Sequence, residues 1–190
     1  RYQMTVQGVA AHAGVDFSAG ASAIVEMAHQ VERLAALTNL ERGVTVNPGV
    51  ISGGTRSNVI AEQASMEIDV RAWTLRDCQA THKKLMALKA RDKRCRVTME
   101  GELNRPPMER TTAVGKLFAT ARACGAELGV AVEESRTGGG SDGNFTAALG
   151  VPTLDGLGVV GEGAHAPHES ILIDRLADRT ALLAKLIAAL

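Results

Sequence analysis

Two glycine-rich stretches near the carboxyl end contain the residue types best suited to chemistry. Residues 137–145 (TGGGSDGNF) combine three consecutive glycines with a serine and an aspartate. Glycine lets backbone amides approach a ligand closely and adopt positive φ, while Ser141 and Asp142 favour the start of a helix. This predicts an anion-accepting turn before a short helix at 145–149. Residues 161–169 (GEGAHAPHE) place His165 in a glycine-flanked loop, typical of a metal ligand or proton carrier.

An alternative is that both stretches are ordinary connections in an α/β domain. A single glycine-rich turn is a weak signal, and no lysine follows Gly140 as a GxxxxGK[ST] phosphate loop requires. A lone loop histidine is also more often structural than metal-binding. The two stretches together, with strand-like residues 151–154 between them, favour the functional interpretation.

The composition excludes several classes of protein. The 190 residues are 45% hydrophobic, with 21 Lys and Arg against 21 Asp and Glu, which argues against a nucleic-acid partner. No apolar stretch is long enough to span a bilayer, so no membrane association is expected. The three cysteines are widely spaced, so neither a disulfide framework nor a CxxC metal site is indicated. A reducing, cytoplasmic compartment is predicted, although a mature secreted chain is also compatible.

The first part of the chain alternates between the periods of strands and helices. A ferredoxin-like α+β domain is predicted from the order β-α-β-β-α-β, with an antiparallel sheet covered by two helices on one face. The other face and the edges of the sheet would be free to pair. The predicted elements are strands at 1–8, 44–50, 64–73 and 96–100, a helix from Ser18 to Leu37, and a helix capped by Thr74 and ending near Lys89.

Residues 104–107 (NRPP) break this pattern and predict a boundary between domains at 1–107 and 108–190. Beyond the boundary we expect three helices: one at 112–128, one that ends at Leu149 and one at 174–190. We also expect strands at 130–133 and 153–157. This alternation indicates parallel α/β architecture. Roughly eighty residues with two strands are too few for a complete doubly wound sheet.

Five ordered motifs carry a resemblance to a known family. The chain resembles the zinc-dependent carboxypeptidases and aminoacylases, which include glutamate carboxypeptidase, dipeptidases and succinyl-diaminopimelate desuccinylase, and it is most similar to glutamate carboxypeptidase. The motifs are GVAAHAG at 8–14, GGTRSNVI at 53–60, DVR at 69–71, GGGSD at 138–142 and GAHAPHE at 163–169.

The resemblance implies an architecture for both parts of the chain. Residues 1–107 would form the lid domain, which also makes the dimer, and residues 108–190 would be the closing segment of an α/β catalytic domain. The resemblance also implies that the opening segment of such a domain, which would carry an HxD pair, a bridging aspartate and a Glu-Glu pair, is absent from this chain. Two zinc ions per subunit are implied for the complete enzyme, with an incomplete site in this chain.

The resemblance also implies roles for individual residues. His165 would be a zinc ligand, in preference to His168, with Glu169 as an acceptor for its second ring nitrogen. His12 would stabilise the oxyanion of the tetrahedral intermediate across the dimer, the alternative being a histidine that caps a turn. Asn58 would reach the partner's substrate carboxylate, the alternative being an Asx turn.

Four further residues are implied to bind the substrate. Arg71 would clamp a terminal carboxylate in bidentate fashion, the alternative being an exposed arginine paired with Asp69. Arg105 is a candidate for a second substrate carboxylate. Gly139 and Gly140 would offer backbone amides to the same end of the substrate.

The function implied is hydrolysis of an amide bond beside a free carboxylate, in a small peptide or an N-acyl amino acid, by a homodimeric metallocarboxypeptidase. Because this chain lacks most zinc ligands and the general base, we expect it to be inactive alone. Two alternatives stay open: a non-catalytic dimerisation module, and a parent enzyme that deacylates N-acyl amino acids.

Overall fold

A computed structural model describes all 190 residues of the chain. The chain divides into two compact units, Arg1–Pro107 and Met108–Leu190, which are described separately. None of the helices in either unit combines the length and the apolar character needed to cross a membrane.

The first unit is a four-stranded sheet with two helices. The elements follow the order β-α-β-β-α-β, and the strand order β2-β3-β1-β4 is antiparallel throughout. This confirms the predicted ferredoxin-like arrangement. The elements are β1 (Tyr2–Gln7), α1 (Ala23–Ala35), β2 (Thr45–Gly53), β3 (Gln63–Arg71), α2 (Leu75–Met86) and β4 (Arg96–Gly101).

One face of this sheet is apolar and the other is polar. Met4 of β1 is paired with Met66 of β3 and Met99 of β4, so that strand alternation puts all three on the same face. Met27 and Leu34 of α1 pack onto that face and are fully buried. The opposite face carries pairs such as Gln3 with Glu67 and Thr5 with Ser65. The sheet therefore buries a single side, as the alternation in β1 predicts.

The predicted start of α1 at Ser18 is wrong. Ser18 lies instead in a separate 3-10 helix, Phe17–Ala19. Between this helix and α1, Val9 and Ala21 exchange two backbone hydrogen bonds of 2.9 Å each in an isolated bridge. The helix begins only after Ser22, whose hydroxyl oxygen accepts from the Val25 N–H at 3.3 Å. Thr74 caps α2 as predicted, with its hydroxyl accepting from the Asp77 N–H at 3.1 Å.

A buried carboxylate fixes the turn before β4. Glu26 of α1 is 2% exposed, and its oxygens accept from the Arg91 N–H at 3.0 Å, the Asp92 N–H at 2.9 Å and the Gln30 amide at 2.6 Å. Burial alone would raise the pKa of this carboxyl, but the hydrogen bonds from Asp92, Arg91 and Gln30 outweigh it and lower the pKa. The ionised form of Glu26 is therefore the one that holds the turn.

The second unit contains three helices and one minimal hairpin. Helices α3 and α5 pack together, Ala121 and Leu182 are buried, and Lys185 of α5 pairs with Glu127 of α3 at 2.7 Å. The elements are α3 (Thr112–Glu127), α4 (Gly143–Ala148), β5 (Gly161–Glu162), β6 (Ser170–Ile171) and α5 (Leu176–Ala188), the last preceded by the short 3-10 helix Ile173–Arg175.

The strands predicted at 130–133 and 153–157 do not form. A strand is stable only when its backbone is hydrogen-bonded to a neighbour, and neither segment pairs with another strand. Val130 instead donates its N–H to Gly125 at 2.8 Å, closing the end of α3, and the Thr153 hydroxyl donates to the Val151 carbonyl at 2.9 Å. The β5–β6 hairpin was not predicted, because strands of two residues are too short to show alternation.

Candidate functional site

His12 and Asn58 are brought together by two loops at one end of the sheet. His12 follows β1 and Asn58 precedes β3, and these strands are antiparallel neighbours. An isolated bridge joins His12 and Val59, with Ala13 donating its N–H to the Asn58 carbonyl at 3.0 Å and Ile60 donating to Ala11 at 2.9 Å. Both His12 and Asn58 are exposed to solvent. The structure thus places two predicted site residues side by side on a fixed backbone.

The His12 ring is held by the turn that follows it. Its Nδ1 accepts from the Gly14 N–H at 3.1 Å and from the Val15 N–H at 3.2 Å. The His12 carbonyl also accepts from the Asp16 N–H at 3.1 Å. His12 therefore caps the turn, as in the alternative given in the sequence analysis, but only its Nδ1 takes part. The opposite nitrogen, Nε2, makes no hydrogen bond within the chain.

The Asn58 side chain is not part of an Asx turn. Its amide makes no hydrogen bond within the chain, and the local turn is closed by the backbone instead, from the Val59 N–H to the Arg56 carbonyl at 3.2 Å. The amide thus has an NH2 group with two N–H donors and one oxygen acceptor available to a ligand. The backbone of Asn58 is fixed by Ala13, so the amide projects from an ordered position.

Arg71 lies at the opposite end of the sheet from His12. It is the last residue of β3, whose first residue, Gln63, pairs with the end of β1 that leads to His12. Eight residue steps at roughly 3.3 Å separate the two ends of β3 by about 26 Å. The Arg71 Nε donates to the Asp69 carboxylate at 2.6 Å, as in the alternative considered from sequence. Arg105 is exposed in the segment after β4.

The glycine-rich turn differs from its prediction. None of Gly138, Gly139 and Gly140 adopts positive φ. The Gly139 N–H donates to the Thr137 hydroxyl at 3.1 Å, and Asp142 makes no capping hydrogen bond to α4. One backbone amide of the predicted anion-accepting turn, that of Gly139, is therefore already bonded to the Thr137 side chain and is not open to an anion. The Gly140 N–H makes no hydrogen bond within the chain.

His165 lies in the loop that joins β5 and β6, with a left-handed backbone. Its φ of 67° is the only positive φ among the non-glycine residues. The loop is closed by hydrogen bonds from Ala166 to Gly163 at 2.7 Å and from Glu169 to Ala166 at 3.0 Å. Left-handed backbone at a non-glycine residue costs on the order of 1–3 kcal/mol and is concentrated at functional sites.

The two histidines of this loop differ in their surroundings. A Cβ added at Gly163 would meet the His168 Cδ2 at 2.8 Å, so the His168 ring packs over Gly163. His165 is exposed at the strained position. No group of three or more His, Cys, Asp or Glu residues is arranged to hold a metal ion.

The amides of Gly14 and Val15 are functional groups that sequence reasoning missed. Backbone donors carry no side-chain signature, so only the glycine two residues after His12 indicated that the chain could turn back on the ring.

Comparison with known proteins defines the class of the first unit. Residues 1–93 match the model of the peptidase dimerisation domain. The chain is 30% identical to carboxypeptidase G2 of Pseudomonas sp. (strain RS-16), over 97% of this chain and 46% of that protein.

Solved structures agree with this assignment. Aminopeptidase PepT from Bacillus cereus superposes with a TM-score of 0.82 at 25% identity, over 98% of this chain and 50% of that one. Bacillus subtilis YxeP, described as a dinuclear metal-binding peptidase from the M20 family, has the same fold, with a TM-score of 0.73 at 18% identity, over 99% of this chain and 48% of that one. Residues 1–93 are therefore similar to the peptidase dimerisation domain, and the rest of the chain shares the fold of these peptidases. It spans about half the length of the relatives that it matches.

Proposed function

We propose that this chain is part of a metallohydrolase that cleaves an amide bond next to a free carboxylate, in a small peptide or an N-acyl amino acid. The observation that carries the proposal is the fixed pair of exposed side chains His12 and Asn58, within a peptidase dimerisation domain. The similarity to carboxypeptidase G2 over nearly the whole chain supports a carboxypeptidase rather than another amidase.

Each residue of the pair has a role that its geometry allows. The His12 Nε2, on the side of the ring away from the turn, would donate to the oxyanion of the tetrahedral intermediate formed in the partner subunit. Donors of this kind stabilise the transition state and each contributes about 10²–10³ in kcat. The Asn58 amide would donate to the substrate carboxylate, whose charge strengthens the hydrogen bond.

The remaining candidates would bind other parts of the substrate. Arg71 and Arg105 would each offer a guanidinium to a carboxylate, and Arg71 would do so at a distance from its own subunit's His12. Of the two glycines, Gly140 has the backbone N–H that is not already bonded, whereas the Gly139 N–H would first have to leave Thr137. His165 would supply one ligand to a zinc site completed by groups outside this chain.

We propose a homodimer formed through one edge of the first unit. Ile51 of the edge strand β2 is paired with Met66, which puts it on the core face of the sheet, yet it is 58% exposed. Ile24 of α1 lines a shallow apolar cleft together with Ile51. The other edge strand, β4, carries Arg96 and Glu100, which disfavour apolar pairing. The β2 edge therefore fits a second copy better than the β4 edge does.

Hydrolysis of N-acyl glutamate by a full-length protein containing this chain tests the enzymatic proposal. We expect His165→Asn to abolish turnover and reduce bound zinc, because asparagine tolerates the left-handed backbone but replaces the imidazole. The matched control is His168→Asn in the same loop, which should retain both. Full activity of His165→Asn with full zinc content would contradict the assignment.

The alternatives predict different measurements. For a non-catalytic dimerisation module, native mass spectrometry of this chain would show a dimer, and a full-length protein would show no turnover of any N-acyl or peptide substrate. For a deacylase, N-acetyl amino acids would be cleaved and dipeptides with a free carboxylate would not. A carboxypeptidase requires release of the C-terminal residue from N-blocked peptides with a free carboxylate.

A further inference from the structure

We propose that the turn after His12 fixes this imidazole as the Nε2–H tautomer, so that His12 acts as a hydrogen-bond donor and not as a proton acceptor. The role of the donor toward a substrate rests on the proposed function. The tautomer itself rests only on the geometry of residues 12–16, which can be tested without any substrate.

The first step is the bonding of Nδ1. Two backbone amides, those of Gly14 and Val15, point their N–H groups at this nitrogen from 3.1 and 3.2 Å. A peptide N–H is an obligatory donor, and an imidazole nitrogen accepts only when it carries no proton. In the Nδ1–H tautomer, the ring N–H would point at the N–H groups of Gly14 and Val15, and donors cannot bond to one another. The neutral ring must therefore carry its proton on Nε2.

The second step is the rigidity of the turn that supplies these donors. The His12 carbonyl accepts from the Asp16 N–H at 3.1 Å and shares the Val15 N–H, at 3.3 Å, with Nδ1, so the turn closes back on His12. Ala13 is bonded to Asn58 across the bridge, which fixes the start of the turn against the 54–60 loop. The backbone bonds thus hold the two donor amides in position beside the ring, independently of the ring itself.

The consequence separates two kinds of catalytic histidine. A general base must accept a proton, whereas an oxyanion donor must present one. With Nδ1 occupied and Nε2 protonated, His12 can do only the second. This makes Gly14 and Val15 positioning residues, which act on the substrate through the His12 ring.

Long-range ¹H–¹⁵N correlation spectra of the labelled chain report which imidazole nitrogen carries the proton. At about pH 8.5 an ordinary imidazole is neutral, so the tautomer is read directly. We expect His12 to be fully the Nε2–H form, and the spectrum of His12→Asn identifies its signals among the five histidines. His168, which has no such amide pair, serves as the internal control and should show a mixture. A proton on Nδ1 of His12 would overturn the proposal.

Two isosteric variants of a full-length protein test the donor. His12→Asn places an amide oxygen where Nδ1 accepts and keeps the turn, but lacks the distal donor. His12→Gln can place an N–H near the position of Nε2. We expect His12→Asn to lose about 10²–10³ in kcat, with His12→Gln retaining at least about ten times the kcat of His12→Asn. Equal losses in both variants, or a greater loss in Gln, would refute donation from Nε2.

The tautomer of His12 and its proposed role in hydrolysis can be refuted independently. If the spectra show the Nε2–H form but neither variant affects kcat, the tautomer is correct and the proposed role of His12 in hydrolysis is wrong. If the spectra show an Nδ1 proton, the tautomer is wrong whatever the activity. Circular dichroism and native mass spectrometry of His12→Asn verify that the fold and the oligomeric state are unchanged.

Discussion

The backbone N–H of Ala13 lies 3.0 Å from the carbonyl oxygen of Asn58, and this hydrogen bond joins the loop after β1 to the loop before β3. Because it uses only the backbone of Asn58, it leaves the side-chain amide available. A change at this side chain should therefore alter ligand binding without opening the bridge.

Asn58→Asp should raise KM of a full-length enzyme. The substitution keeps the shape and the backbone bond but replaces the N–H donor by a carboxylate, which repels an anionic substrate. Hydrogen bonds to charged groups are worth about 1.5–3 kcal/mol, equivalent to roughly 10- to 150-fold in KM. Steady-state kinetics measure the change, and Ser57→Ala, an exposed neighbour, is the control. An unchanged KM would remove Asn58 from the site.

Arg71→Lys should raise KM if Arg71 clamps the substrate carboxylate. Lysine keeps the charge but loses the bidentate geometry, which we expect to cost about tenfold or more. Asp69→Asn is the matched control, because it disrupts the same 2.6 Å pair from the other side. If KM rises only in Arg105→Lys, the clamp is Arg105 and Arg71 is a surface residue paired with Asp69.

Ile51→Asp should convert a dimer of this chain to a monomer. The side chain is 58% exposed on the core face of an edge strand, and a buried, unpaired carboxylate in each subunit would cost several kcal/mol of association free energy. Analytical ultracentrifugation gives the dissociation constant. Leu40→Asp, at a loop residue that is 71% exposed, is the control and should stay dimeric. A dimeric Ile51→Asp would place the interface elsewhere.

Glu26→Gln should reduce the stability of the first unit and its dependence on pH. The pKa of Glu26 is lowered in the folded state, so the unfolded chain takes up the proton first. The stabilisation is present above the ordinary carboxyl pKa of 4.5 and is lost as pH falls through the lower folded pKa.

Denaturant unfolding between pH 7 and pH 3 measures this effect. At pH 7 we expect Glu26→Gln to lose about 1–3 kcal/mol, because an amide replaces a charged acceptor of three N–H groups. Wild type and variant should converge at the acid end. Glu32→Gln, on an exposed part of the same helix, controls for net charge. If the free energy of unfolding of wild type and of Glu26→Gln varied with pH in parallel, Glu26 would not be the group that makes stability depend on pH.

The fold of the first unit could be predicted because each element shows its own period. Tyr2, Met4 and Val6 alternate as one buried face requires, and every strand predicted there has a partner within the unit. Residues 130–133 are equally apolar, but no neighbouring strand pairs with them, and sequence pattern reports burial rather than pairing.

The sequence indicated individual candidate residues but not how they are arranged in space. His12 and Asn58 meet only because β1 and β3 are antiparallel neighbours, a relation that depends on the whole topology. The left-handed φ of His165 was not predicted, because the sequence of a glycine-flanked loop does not show which of its residues adopts positive φ.

The turn that holds the His12 ring has a consequence for directed evolution of this chain. Its donors are peptide groups, so the side chains of residues 14 and 15 are not required for it. A Cβ at Gly14 would lie 3.7 Å from the His12 ring, an ordinary contact, and Val15 is exposed. In a saturation library nearly every amino acid should be accepted at both positions, with proline, which has no N–H, as the excluded residue.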